Sequence, residues 1–258
     1  MTARRRTGTQ SVDRALALLI ALSTRRQVGW RLVDLAARCD LDKGTAHRIL
    51  SGLVRGRMVV KRERDHHYLP GPLLYELALS LNPYVEFRRV YEASVVRLAK
   101  KTGGIGFFFL RSGPDMVCAA RHAEVDALTV EEGMRRPLVG SAAGIAMLIH
   151  LSESERQSIV AENFDFIRKH GGDPITALRR MLRRSMTVGF GINESDLVPS
   201  WNTLGLAMRD PSGAPFGSLM IAGTADRLSF AHLEHWVELL RSEVKQLEGA
   251  AVEHGIWA

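Results

Sequence analysis

The stretch LVDLAARCDLDKGTAHRILSGL, Leu32 to Leu53, decides how the chain folds at its N-terminus. An apolar helical patch at Leu32, Val33, Leu35 and Ala36 runs into Cys39-Asp40-Leu41. A second patch, Ala46, Ile49, Leu50 and Leu53, has the i, i+3, i+4, i+7 spacing of one helix face. The opposite face carries Lys43, Thr45, His47, Arg48, Ser51 and Arg55. Two short helices joined by a tight turn, the second basic on its outer side, are the sequence form of a helix-turn-helix. Asp42 is placed to cap the second helix, which should run to about Val54 before Gly56 stops it.

Upstream, residues 1–10 are basic and read as an arm, and Val12 to Leu22 reads as a helix capped by Ser11. Its expected buried stripe is Ala15, Leu16, Leu18, Leu19 and Leu22. Downstream, two β-prone runs, 58–62 and 67–69, flank the charged turn Glu63-Arg64-Asp65-His66 and predict a hairpin. Three helices followed by a basic hairpin make a winged helix, with Arg62 and Arg64 on the wing, where phosphate contact is expected. His66 and His67 do not suggest a metal ion, because adjacent strand side chains point to opposite faces. Pro70-Gly71-Pro72 then breaks the chain, and Leu73 to Leu81 reads as a short linker helix ended by Asn82-Pro83. Its apolar face, Leu73, Leu74, Leu77 and Leu81, suits either a partner subunit or its own domain.

Charge separates this region from the rest. Residues 1–70 hold 15 Lys and Arg against 6 Asp and Glu, a balance of +9; the remaining 20 and 22 give −2. A basic first quarter beside a near-neutral remainder points to a nucleic-acid module joined to something else. The chain is 46% hydrophobic and 24% charged, enough to bury a core. No apolar run approaches the ~18 residues of a membrane span. Ser11 to Leu22 contains Asp13 and Arg14, unlike a signal-peptide core, so a cytoplasmic location is expected. Cys39 and Cys118 read as reduced structural thiols.

Beyond residue 84 helix and strand alternate. Helices are expected at 85–101, 141–151, 153–163, 174–188 and 230–251, and strands at 105–110, 116–121, 127–131, 204–209 and 215–222. This order predicts a mainly antiparallel sheet with helices around it, in an α+β fold. Catalytic and cofactor motifs are sparse. There is no Walker loop, paired-His zinc motif or CxxC; Ser141 lacks the glycines of a nucleophile elbow, and no acid orients a Cys118–His122 dyad. No catalytic residue, metal or cofactor is expected. The small residues at 140–146 fit two uses: a ligand carboxylate approaching backbone N–H groups, or close helix–sheet packing.

As an ordered set, several motifs resemble the IclR-type bacterial transcription regulators over nearly the whole chain. They are Gln10-Ser11-Val12-Asp13-Arg14-Ala15-Leu16, Asp34-Leu35-Ala36, Thr45-Ala46-His47-Arg48-Ile49-Leu50 and Tyr68-Leu69-Pro70-Gly71, then Arg136-Pro137-Leu138, Ser141-Ala142-Ala143-Gly144 with Ala146, and the segment from Gly189 through Asn193 and Pro199 to Asp210, followed by Gly217 and Gly223. The resemblance implies a winged helix-turn-helix at 1–70, a linker helix at 71–83, and a GAF/PAS-like effector-binding and oligomerisation domain at 84–258. It implies a double-stranded DNA operator, a small-molecule effector, and a homodimer or dimer of dimers. It places Lys43, Thr45, His47 and Arg48 at the groove, and lines the effector cup near Leu128, Ala142, Ala143, Gly144, Asn193, Trp201, Thr203, Met220 and Ala222. Departures are Gly44 where Ser is usual, Pro70 for Leu, Val139-Gly140 for His-Ala, and Ile145 for Lys. The apolar lean of the cup suits an aromatic or aliphatic carboxylate. The rival from another class is a small-molecule enzyme whose winged helix mediates protein contacts.

Overall fold

The computed structural model describes residues 9–25, 27–125, 130–163, 174–196 and 200–256, and divides into two compact units, residues 1–82 and 83–258. In the first unit, α1 (Gln10–Leu22), α2 (Leu32–Arg38) and α3 (Lys43–Arg55) precede a hairpin of β1 (Val59–Lys61) and β2 (Tyr68–Pro70). Leu18, Leu22, Leu35, Leu50, Val59 and Tyr68 form its core. This is the winged helix expected from the helix spacing. Two details of α1 differ. The helix begins at Gln10, so Ser11 lies in its first turn rather than at the cap. Leu16 is 52% exposed while Leu18 is buried, because residues two apart on a helix project about 200° apart and cannot share a face. Ala21 takes the buried place instead. The arm at residues 1–8 lies outside the described residues.

α4 (Pro72–Leu79) buries none of its residues, and Tyr75, Leu77 and Leu79 are exposed. Asn82-Pro83, expected only as a stop, also opens α5 (Asn82–Thr102), since a proline near the first helical position costs no internal hydrogen bond.

The second unit is built on one six-stranded antiparallel sheet. Its strands are β3 (Ile105–Ser112), β4 (Asp115–Ala123), β5 (Arg135–Pro137), β6 (Gly191–Glu194), β7 (Trp201–Arg209) and β8 (Pro215–Thr224), in the order β5-β4-β3-β8-β7-β6. One edge differs from expectation. Residues 127–129 lie outside the described residues, Val130 and Glu131 are not in a strand, and the edge strand is Arg135–Pro137. Three residues with two adjacent arginines show no alternation, so only pairing with β4 makes them a strand.

The two sheet faces bury separate cores. α5 and α9 (Leu233–Glu253) cover one face with Phe87, Val95, Leu98, Leu240 and Leu247 against Phe108, Leu219 and Ile221. α6 (Ala142–Leu148), α7 (Glu153–Glu162) and α8 (Pro174–Val188) cover the other, over Phe107, Phe109, Met220 and Ala222. All seven residues of α6 are buried. Close approach decides the use of its small residues. A Cβ on Gly191 would lie 1.9 Å from the Ala142 carbonyl oxygen, and one on Gly144 would lie 1.8 Å from that of Leu138. Among the described residues no helix is long and apolar enough to cross a membrane.

The Gly191→Ala variant should lose about 1–3 kcal/mol of stability, the usual scale for forcing extra volume into a packed site. A lower urea midpoint at unchanged m-value is the expected result.

Candidate nucleic-acid interface and effector face

The second helix of the helix-turn-helix is held at both its start and its buried side. Asp42 stands at the N-cap with extended backbone, and its Oδ1 accepts the Thr45 N–H at 2.8 Å. Hydrogen bonds from Thr45 hold the Asp42 carboxyl below its ordinary range. The turn before it places Asp40 in the left-handed region at φ 51°, which Asp tolerates better than most residues. Ala46 and Leu50 face the core, leaving Lys43, His47 and Arg48 exposed and Thr45 half-buried. Arg48 donates to the Thr45 hydroxyl at 3.3 Å, one turn back along the helix. Gly44 lies within this same exposed turn and contributes no side chain.

Of these, Lys43 and His47 border a cleft of about 640 Å³ between the starts of α2 and α3 and the wing. Arg31, Lys43, His47, Lys61 and His66 line it together. Arg31 and Lys61 were absent from the sequence-derived site. Each has the right residue type, but only the tertiary placement of the N-cap of α2 beside β1 brings them to α3. Arg31, Lys43 and Lys61 give the cleft three fixed positive charges, with Asp34 and Asp65 also on its walls.

The two wing arginines do different work. Arg64 is 76% exposed and comes only to 3.9 Å of Asp65. The Arg62 side chain is 23% exposed and bonded within the chain. Its Nε donates to Asp65 Oδ1 at 2.9 Å, and its Nη2 to Asp65 Oδ2 at 2.7 Å and to the Val28 carbonyl at 2.6 Å. Its Nη1 donates to the Gln27 carbonyl at 3.2 Å. The guanidinium therefore ties the wing turn to the segment before α2. A backbone bridge between Trp30 and Tyr68 fastens the same two pieces.

In the second unit, strand register brings most of the expected cup onto one sheet face. Asn193 lies opposite Thr203, Thr203 opposite Ala222, and Ala222 opposite Ile105. Met220 pairs with Gly205 and Phe107 in the next row. Directly paired residues project to the same side, here the side that α6 covers. Trp201 packs at the margin of this core. Ala142 and Ala143 form part of the α6 wall and are fully buried. Gly144 is a packing residue: its N–H donates to the Ser141 hydroxyl at 3.2 Å and its Cα backs onto Leu138. Asn193 holds the following loop, with its Oδ1 accepting the Asp196 N–H at 3.0 Å. Leu128 lies outside the described residues.

The same register disposes of one catalytic pairing. Cys118 stands opposite Phe109 and His122 opposite Gly106. Phe109 belongs to the α6-side core, whereas Gly106 backs onto Val95 of α5, so the thiol and the imidazole face opposite sides of the sheet.

Hydrogen bonding from Arg62 holds the Asp65 carboxyl far below the ordinary carboxylate range. A depressed folded value stabilises the wing above the unfolded value of about 3.9, and that contribution fades as pH falls through and below it. Thermal unfolding should therefore favour the wild type over the Asp65→Asn variant at neutral pH, with the gap closing as the buffer is taken down from about pH 5 toward 2.

Comparison with known proteins gives this geometry its context. Residues 11–63 match the family model of the IclR helix-turn-helix domain. The HTH-type transcriptional repressor AllR of Salmonella typhi is 24% identical over 251 residues, covering 94% of this chain and 90% of that protein. A solved structure of an IclR transcriptional regulator from Silicibacter sp. TM1040 superposes with a TM-score of 0.80 at 19% identity, covering 93% of this chain and 96% of the other. An IclR homologue from Microbacterium hydrocarbonoxydans, solved with 4-hydroxybenzoate, superposes with a TM-score of 0.69 at 19% identity, covering 95% of this chain and all of that one. Its helix-turn-helix thus matches the IclR family model, and along its length the chain is similar to transcriptional regulators of that kind.

Proposed function

We propose that this regulator reads its operator with Lys43, Thr45, His47 and Arg48, and that Arg64 contacts phosphate while Arg62 positions the wing. The supporting observation is the start of α3, capped by Asp42 and anchored by Ala46 and Leu50, with three basic or imidazole side chains exposed in two turns. A helix so presented suits the major groove, where Arg reads guanine bidentately and the backbone supplies register. The regulator works in the cytoplasm as a homodimer or a dimer of dimers. Exposed apolar side chains on α1 (Val12, Leu16, Ile20) and α4 (Leu77, Leu79) support association of this unit.

The effector binds on the α6-covered face of the sheet, against Trp201, Thr203, Met220 and Ala222, with Asn193 and the Ala142-Ala143 wall at its border. It is an aromatic or aliphatic carboxylate. The apolar face supports this class, and so does the 4-hydroxybenzoate held by the Microbacterium homologue. It controls transcription by binding one arrangement of the DNA-binding units better than another, since only differential affinity shifts such an equilibrium. The protein acts as a regulator rather than an enzyme. The regulators it is similar to support this reading, and Cys118 and His122 lie on opposite sheet faces.

An operator selected from a random DNA pool tests this assignment. Arg48→Ala should weaken specific binding by about 1–3 kcal/mol and relax one base position of the footprint. Arg64→Ala should weaken all sequences alike and reduce the slope of log K against log salt by about 0.9. Unchanged affinity and footprint in Arg48→Ala would remove that residue from the interface.

A further inference from the structure

Three arginines meet at one corner of the six-stranded sheet, and two have carboxylates of their own. Arg111 on β3 pairs with Glu155 of α7. Arg135 on β5 donates to the Ser112 hydroxyl at 3.0 Å and reaches Asp115 Oδ2 at 3.5 Å. Arg136 follows it on the strand and so projects to the opposite face. Its register partner is Met116, which in turn stands opposite Arg111. Met116 is fully buried in the α6-side core, with its sulfur 3.7 Å from the Ser141 hydroxyl at the start of α6. Arg136 therefore stands in the row Arg111–Met116–Arg136 on the α6-covered face.

In that position Arg136 is only partly exposed, and among the described residues it makes neither a hydrogen bond nor an ion pair. Burial pushes its pKa down. A cation taken out of water without a counter-ion is costly, and folded proteins normally pair it or leave it in solvent. Here the two neighbouring guanidiniums are paired and the third is not, on the face assigned above to the effector. Phe107, Met220 and Ala222 lie on the same face further along the sheet, where they are apolar and buried.

We infer that the Arg136 guanidinium is the anion-binding group of the effector face and that it selects effectors carrying a carboxylate. The inference rests on the effector assignment made above. A planar fork of N–H donors matches a carboxylate bidentately, which a lysine cannot reproduce. The apolar body of the ligand then lies against the apolar side chains of the same face. This divides the recognition: the sheet face sets size and hydrophobicity, and Arg136 sets charge.

The test uses the full chain and four probes, benzoate, 4-hydroxybenzoate, phenylacetate and hexanoate, with benzamide as the neutral isostere of benzoate. Thermal shift and calorimetry are read on the wild type, Arg136→Leu, Arg136→Lys and Arg136→Gln. At least one carboxylate should stabilise the wild type and benzamide should not. Arg136→Leu should lose about 10- to 100-fold in affinity for that carboxylate, the scale of a charge-assisted hydrogen-bonded pair. Arg136→Lys should retain part of it. The ligand-free Arg136→Leu protein should melt at a higher temperature than the wild type, because an unpaired buried charge has been removed. If Arg136→Leu fails to fold, Arg136→Gln should show the same loss of affinity. Equal carboxylate affinity in wild type and Arg136→Leu or Arg136→Gln, or equal binding of benzoate and benzamide, overturns the role of Arg136 and leaves the effector face standing. The absence of any shift in the wild type overturns both. Lower melting of ligand-free Arg136→Leu and Arg136→Gln alike makes Arg136 a structural residue and overturns the inference.

Discussion

Helix α6 lies against the sheet with backbone touching backbone. The Ala142 carbonyl occupies the space that a side chain at residue 191 would need, and the Leu138 carbonyl occupies that of residue 144. Such closeness is open only to glycine, and it sets the height of α6 above the six strands. The rest of the α6-side core follows from it. Ala142, Ala143 and Ala146 pack in one buried cluster with Phe107, Met220 and Ala222. A packed interior transmits small changes of shape rather than absorbing them. The α6-covered face is therefore a rigid platform.

The first unit solves a different problem. A short recognition helix must present its side chains at a fixed angle, and a three-helix core with two three-residue strands offers little area to hold it. Polar fastenings supplement that core. Asp42 caps α3, Trp30 bridges Tyr68, and Arg62 joins Asp65 to the Gln27 and Val28 carbonyls. Arg62 is bonded within the wing unit while Arg64 is 76% exposed, and Arg31 and Lys61 add charge in the cleft beside α3.

Much of the fold was legible along the chain because its causes are local. The 3.6-residue spacing of Ala46, Ile49, Leu50 and Leu53, the Asp42 cap, the proline and glycine stops, and the alternation of helix and strand after residue 84 each act over a few residues. The exceptions are instructive. Leu16 was grouped with Leu18 although their helical projections nearly oppose one another. Arg135–Pro137 has no pattern of its own and becomes a strand only beside β4. The small residues at 140–146 fitted ligand approach and close packing equally until the carbonyls facing Gly144 and Gly191 were known.

What the sequence determined by itself was the winged helix, the charge division between the two parts, the antiparallel α+β class and the exposed outer face of α3, all consequences of neighbours in the chain. Tertiary structure decided which charges have partners. Arg62 and Arg64 are two residues apart and look alike in sequence, yet one is held by carbonyls 34 and 35 residues earlier and the other is exposed. Arg135 and Arg136 are adjacent, yet strand alternation gives one a carboxylate and sends the other to the opposite face. The worth of a charge depends on what surrounds it in space, and that is set by contacts between residues far apart in the chain.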